Sequence, residues 1–152
     1  MNPAVSPAPL WRRLAAALYD GLLVLALWLV LTLIDAWVRN ALGLRYDSRA
    51  LRALLLLAGL GFFGWFWTHG GQTLGMRAWR LKVRHPDGRP LNWPVAAWRY
   101  AMAWVAWLPL GLGVLWCLVD PRRRSWNDLA SDTELVLLPK PAATGDRPQA
   151  PA

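Results

Sequence analysis

The chain has few of the residues on which metal sites, disulfides and most enzyme active sites depend. Only one of its 152 residues is cysteine and only two are histidine, so it can form no internal disulfide. No CxxC or His/Cys cluster with the spacing of zinc ligands is present, and neither is HExxH, a P-loop, a Ser/His/Asp series or a carboxylate pair at hydrolase spacing. We therefore expect no resident metal or cofactor and no enzymatic activity.

Apolar residues, in contrast, are abundant and continuous. They make up 56% of the chain and concentrate in three blocks, residues 14–38, 50–67 and 95–119. The first block alone would rise about 37 Å as a helix, which is enough to cross the hydrocarbon of a bilayer with some tilt. A buried helix of a soluble protein would be shorter and would have one polar face. The sequence therefore predicts an integral membrane protein.

The third block is interrupted at its middle by Pro109, Gly111 and Gly113, which break or kink a helix. If this block crosses the membrane, the basic residues near the spans divide equally, seven on each side; if it turns back, the division is ten against four. The positive-inside rule favours the second division, with both termini in the cytoplasm. We expect an all-α membrane protein with two full transmembrane helices and a third, Pro/Gly-broken segment; three simple transmembrane helices are the alternative.

The ends of the chain differ in composition from its centre. Residues 1–9 and 139–152 are rich in proline and alanine and have little to bury, so we expect two mobile tails around one transmembrane domain at residues 10–138. Between the second and third blocks, polar and apolar residues alternate at 80–84 and predict a short strand, followed by a tight turn at 85–88.

The net charge of +8 comes from basic residues in the loops between the apolar blocks. Membrane topology and attraction to anionic lipid headgroups account for charges in that position. Once the apolar blocks are set aside, no compact basic fold with base-stacking aromatic residues remains, so we do not expect nucleic acid as a partner. In the second block, Gly59, Gly61 and Gly64 thin one helix face for close packing or for contact with another subunit.

Asp20 lies inside the first apolar block, where a carboxylate costs about 2.5 to 3.5 kcal/mol on insertion scales. It should therefore face protein, water or a cation. Arg13 falls within about 20° of the same helix face but is two turns away, too far for a direct pair. We expect Arg99, near the start of the third block, to pair with Asp20. Such a pair would be either a structural clamp or part of an ion-coupling site, whereas Asp35, near the far interface, is interpreted as a solvated cap.

A polar cluster that includes Asp120 and Asp128 follows the third block, together with three consecutive arginines at 122–124. By composition alone such a cluster is a solvated surface network. Its position directly beyond a broken segment nevertheless makes it a candidate binding site, because transporters hold substrates and ions at broken helices and their polar ends.

Several of these residues form an ordered series that resembles the RDD family of small bacterial membrane proteins. The series consists of RLAAALYD at 13–20, GQTLGMR at 71–77, KV at 82–83, DG at 87–88, Arg99, Asp120 and WNDLASDT at 126–133. The resemblance covers roughly residues 9–138. It implies a helical membrane domain in which Arg13 begins the first helix, Asp20 lies within it and Asp128 belongs to the C-terminal motif. The sequence departs from the family pattern at Met76, where lysine is common, and at Asn127, where histidine is common.

The resemblance implies a role in transport, and some members of the family are linked with cation/proton exchange. We therefore expect an oligomeric carrier or transport component of the bacterial inner membrane, coupled to a monovalent cation or proton, with Arg13, Asp20, Arg99, Asp120 and Asp128 as candidate ion-binding or polar-network residues. So few segments need a second copy or a membrane protein partner to enclose a path. The alternative is a non-catalytic anchoring or assembly module in which an Asp–Arg clamp only locks the fold. The absence of histidine at position 127 argues against a proton relay through that position.

Overall fold

Two long helices dominate the structure, a computed structural model that describes residues 6–139. Helix α1 spans Leu10–Leu42 and helix α2 spans Ser48–Thr68, and both are long and apolar enough to cross a membrane. Few of their apolar side chains are buried within the protein, so the bilayer must cover the rest. Helix α1 extends four residues past Val38, where the apolar block ends. Gly43, whose backbone is in the left-handed conformation, terminates the helix.

The third apolar block is a bent pair of helices. Helix α4 spans Trp93–Trp107 and helix α5 spans Leu112–Leu115, which continues into a 3₁₀ turn at Trp116–Leu118. The chain bends by 107° between the two arms, at the Pro/Gly break. Gly113 makes the bend tight, because a Cβ at this position would lie only 2.6 Å from the Cα of Ala106.

A small antiparallel sheet joins distant parts of the chain. Its strands are β1 at Ser6–Pro7, β2 at Leu81–Arg84 and β3 at Glu134–Leu137, in the order β1-β3-β2. Strand β2 precedes the bent pair and β3 follows it, so the chain returns to the same sheet after the bent pair. The predicted architecture of two transmembrane helices and a broken third segment is confirmed, with the sheet added to the helical frame.

Two short helices complete the sheet side of the molecule: α3 at Leu74–Ala78 and α6 at Trp126–Ala130. A buried core of small and apolar residues lies beneath them, including Ala8, Leu81 and Val83.

The predicted strand at 80–84 corresponds to β2. The predicted mobile tail at 1–9 is wrong for residues 6–9, because Ser6 and Pro7 pair with β3 and Ala8 is fully buried; most of the predicted C-terminal tail, from residue 140, lies outside the described residues.

The glycines of α2 divide between two faces. An added Cβ at Gly59 would lie 2.5 Å from the hydroxyl of Tyr100, and one at Gly64 would lie 2.5 Å from the ring of Trp93. These two glycines therefore let α4 approach α2 closely, as the sequence predicts. Gly61 is different, because no atom lies within 4 Å of its added Cβ.

Candidate functional site

Three charged side chains form a buried cluster where the sheet meets the helices. The carboxylate of Asp128 in α6 has no solvent exposure, and it lies between the guanidinium groups of Arg13 in α1 and Arg99 in α4. Arg13 Nη1 donates to Asp128 Oδ2 over 2.7 Å, and Arg99 Nη2 lies 2.5 Å from Oδ1. We call these three residues the buried charge cluster.

Local chain geometry holds Asp128 in place. Asp128 lies in the first turn of α6, where the backbone N–H and the hydroxyl of Ser125 both donate to Oδ2, at 3.0 and 2.8 Å. A carboxylate in the first turn of a helix satisfies backbone donors that would otherwise lack a partner. The same oxygen thus caps the helix and receives a hydrogen bond from Arg13.

Arg13 connects the ends of the described chain to the cluster. Its Nε donates to the carbonyl of Ala8 over 3.1 Å, and its Nη2 donates to the carbonyls of Arg123 and Leu135 over 2.6 and 3.4 Å. Arg99 contributes a further link, because its Nη1 donates to the hydroxyl of Thr133. The cluster therefore ties α1 and α4 to the segment around α6 and β3.

The surroundings of Asp128 favour its charged form. Burial alone would raise its pKa, but the guanidinium groups of Arg99 and Arg13, with the hydrogen bonds from Ser125 and Arg13, lower the pKa to about 2. An unfolded aspartate has a pKa of about 3.9. The charge of Asp128 thus stabilises the folded state above about pH 4, and this contribution is lost as the pH falls towards 2.

We predict that this loss is visible as acid destabilisation of the purified protein. The melting temperature in detergent should fall between about pH 4 and pH 2, because protonation removes the ion pairs of Asp128. The Asp128→Asn variant should show a shallower fall over the same range, since it has no carboxylate to protonate at this position. Melting curves followed by tryptophan fluorescence measure both slopes, and equal slopes would contradict the assignment.

Asp20 occupies a separate position with different partners. Its carboxyl is 3% exposed; the backbone N–H of Gly75 donates to Oδ1 over 2.8 Å, and the hydroxyl of Thr73 donates to Oδ2. Thr73 also caps α3 by accepting the N–H of Met76, which fixes its hydroxyl beside Asp20. Across residues 6–139, Asp20 forms no ion pair.

The expected pair between Asp20 and Arg99 is therefore wrong. Arg99 is held by Asp128 instead, because the chain returns from the bent pair and places α6 against α4. Sequence spacing could place Arg13 and Asp20 on one helix face, but it carried no information about which carboxylate would reach Arg99. The motif at 71–77 contained both partners of Asp20, Thr73 and Gly75, but only the fold shows their contact.

Asp120, the remaining candidate acid, and Asp35, which was interpreted as a solvated cap, lie outside the buried charge cluster. Asp120 accepts the backbone N–H groups of Arg122 and Arg124, and Arg124 Nε also lies 3.3 Å from Oδ2. The hydrogen bonds from Arg124, backbone first and side chain second, lower the pKa of Asp120. Asp35 pairs with Arg39 one turn later, over 2.8 Å. Both are local surface pairs.

No group of three or more His, Cys, Asp or Glu residues within the described range could hold a metal ion.

A cavity of about 530 Å³ lies between α1, α2 and α4 and connects the two sites. Arg13, Asp20 and Arg99 line it together with Ser125 and Asn127, and the rest of its lining is largely apolar and aromatic. Its volume is within the range of pockets that hold small ligands, about 300 to 1,000 Å³. The fold thus brings two arginines and a carboxyl that has no ion pair among residues 6–139 to one cavity within the membrane domain.

Comparison with known proteins agrees with the resemblance seen in the motifs. The profile of the RDD family matches residues 7–132, which includes every member of the buried charge cluster, Asp20 and the cavity-forming helices. Searches of curated proteins and of solved structures found no match. With its apolar spanning helices and a family match over most of its length, this integral membrane protein belongs to the RDD family.

Proposed function

We propose that this protein is a component of an oligomeric, cation- or proton-coupled carrier in the bacterial inner membrane, with Asp20 as the group that binds the ion or proton. One observation carries the proposal: the carboxyl of Asp20 is buried in a membrane-spanning helix, lines the cavity and has two neutral hydrogen-bond donors but no ion pair among the described residues. A carboxylate in such a position needs a proton or a cation to offset its charge.

The contrast with Asp128 supports this division of roles. Asp128 contacts two guanidinium groups and accepts two hydrogen bonds from Ser125. These partners balance its negative charge, so it stays charged and needs no mobile cation. In the described part of the chain, the hydrogen-bond partners of Asp20 are neutral. In this proposal the buried charge cluster is the structural clamp, and ion exchange takes place at Asp20.

The proposal includes assembly with other subunits. Two spanning helices and one bent pair offer too little protein to surround a path across the bilayer, whereas the outer half of α1 presents large exposed apolar side chains such as Leu29, Leu33 and Ile34. A second copy packed there would supply the additional protein that a path across the bilayer needs.

The proposed orientation places the sheet and both termini in the cytoplasm. Ten basic residues near the spans then lie on the cytoplasmic side and four on the other, in agreement with the positive-inside rule. The pairing of β1 with β3 supports the same side for both ends of the described chain. The cytoplasmic basic residues would contact anionic lipid headgroups.

Asp20→Asn is expected to abolish ion-coupled flux. The substitution keeps the shape of the side chain and removes its charge, so flux of protons or monovalent cations into proteoliposomes should fall to the level of empty vesicles. Asp35→Asn is the matched control, because Asp35 lies on the same helix but pairs with Arg39 near the other interface; it should retain flux. Unchanged flux in Asp20→Asn at normal protein levels would overturn the proposal.

The second candidate function is a non-catalytic anchoring or assembly module. It is favoured by the number of segments that Arg13 alone connects, because such a clamp needs no transport to explain it. In that case the wild-type protein shows no flux above empty vesicles, and Asp20→Asn lowers the amount of folded protein or changes oligomer size. Size-exclusion chromatography beside the flux assay separates the two functions.

A further inference from the structure

The cavity has two chemically different ends. Arg13, Asp20 and Arg99 line one end, whereas Leu25, Trp28 and Trp104 line the other. Arg13 and Trp28 are separated by about 22 Å of helix at 1.5 Å per residue, so the cavity is elongated along α1. Trp28 and Trp104 stack with their rings nearly parallel and 6.3 Å apart, which gives the apolar end a rigid wall.

The apolar end is open on the side that the bilayer covers. Leu25 is 60% exposed, Trp104 is 45% exposed and Trp107, which also lines the cavity, is 50% exposed. All three belong to the apolar segments that the protein itself leaves uncovered. A long apolar chain could therefore enter the cavity from the membrane without passing through water.

Three hydrogen-bond donors in the cavity lining are buried and have no partner among the described residues: Nε of Arg99, Nε1 of Trp67 and the hydroxyl of Tyr100. Arg99 and Trp67 are the most buried of the three residues, at 2% and 5% exposed. The guanidinium carbon of Arg99 lies 5.3 Å from the ring centroid of Trp67, so these two residues are neighbours. A buried donor without an acceptor is unfavourable, and an anionic head group at this end would supply oxygen acceptors for these donors.

The charges of the lining favour a negative head group. Two arginines line the cavity against one aspartate, Asp20, whose carboxyl oxygens already accept hydrogen bonds from Thr73 and Gly75. Asp128, which does not line the cavity, neutralises one of the two guanidinium charges. When Asp20 carries a proton, one positive charge remains for a ligand to balance.

We propose that the cavity binds a single-chain amphiphile, with its anionic oxygen head against Arg99 and Trp67 and its apolar chain along α1 towards Trp28 and Trp104. This inference goes beyond the ion-coupling role of Asp20 and does not require transport. A fatty-acid carboxylate and the phosphate of a lysophospholipid share the required chemistry. The volume of about 530 Å³ suits one chain of this kind.

Photo-labelling in nanodiscs of zwitterionic lipid tests the proposal. A long-chain fatty acid with a diazirine midway along its chain should label residues of α1 and α4 that line the cavity, as mapped by mass spectrometry. The alcohol with the same chain and diazirine should label this region far less, because it lacks the charged head. Equal labelling by the acid and the alcohol, or labelling elsewhere only, would overturn the proposal.

Gly21→Leu is the cavity-filling variant. Gly21 lines the cavity and no atom lies within 4 Å of a Cβ added there, so a larger side chain has room at its base and occupies ligand space. Labelling should fall to the level of the alcohol. Gly61→Leu is the matched control, because Gly61 also has open space in a spanning helix but does not line the cavity; its labelling should equal that of the wild type. Unchanged labelling in Gly21→Leu would overturn the proposal.

Trp67→Phe tests the head-group end. The variant keeps an aromatic ring beside Arg99 and removes only the N–H donor, so the concentration of fatty acid for half-maximal labelling should rise about tenfold. Trp65→Phe, on the same helix but outside the cavity, should leave it unchanged. Competition with unlabelled fatty acid and with lysophospholipid then identifies the source of the anionic head; failure of both to compete would overturn the proposal.

Discussion

Replacing Asp128 with asparagine should lower the free energy of unfolding by about 3 to 5 kcal/mol, the range found when one partner of a buried ion pair is removed. The loss is large because Arg13 and Arg99 would keep two buried guanidinium charges without a carboxylate between them. The asparagine oxygen can still accept a hydrogen bond from Ser125, so the effect reports mainly on charge. Reversible unfolding in mixed detergent micelles measures it.

Asp87→Asn is the control for that experiment. Asp87 pairs with Arg89 over 2.5 Å, but both side chains are largely exposed to solvent. Exposed ion pairs contribute little to stability, so this variant should unfold like the wild type. If Asp128→Asn were no less stable than Asp87→Asn, the buried charge cluster would not be the clamp that holds α1, α4 and α6 together.

Replacing Gly75 with valine should separate α3 from α1 and lower the free energy of unfolding by about 3 kcal/mol, at the upper end of the usual cost of overpacking. A Cβ at this position would lie 2.5 Å from the backbone carbonyl of Ala16 and 2.9 Å from the carboxyl carbon of Asp20. The backbone of a spanning helix cannot move aside easily, so α3 must shift. The shift would also break the hydrogen bond from Gly75 N–H to Asp20.

Gly70→Val provides the comparison for Gly75→Val. Gly70 lies in the turn between α2 and α3, has no atom within 4 Å of an added Cβ and does not have a left-handed backbone. Valine should therefore be tolerated at position 70. The difference in the free energy of unfolding between the two variants then isolates the contact of Gly75 with α1. The same unfolding measurement serves both, and wild-type stability of Gly75→Val would show that Asp20 is not held by this close approach.

The architecture could be predicted because it follows from local properties of the chain. The length of the apolar blocks indicates spanning helices, and Pro109, Gly111 and Gly113 indicate a break, since each effect depends on a residue and its near neighbours. The excess of basic residues on one side then favours a segment that turns back. Only the alternation at 80–84 indicated a strand, because a two-residue strand such as β1 has no periodic pattern to detect.

The partners of the buried charges could not be predicted in the same way. Arg13 and Asp128 are 115 positions apart, and the pairing of Arg99 with Asp128 rather than with Asp20 depends on where the chain returns after its bend. Thr73 and Gly75 reach Asp20 because α3 packs on α1, and such contacts are set by the approach of distant backbone segments.

By itself, the sequence determined that this protein inserts into a membrane, because continuous apolar blocks leave water regardless of their partners. It also identified Asp20 as a residue that needs a polar environment. Only the tertiary structure decided that this environment is a hydroxyl and a backbone N–H beside a cavity, and that the arginines belong to Asp128. The physical reason is that insertion depends on sums over neighbouring residues, whereas the pairing of charges depends on the positions of distant segments in space.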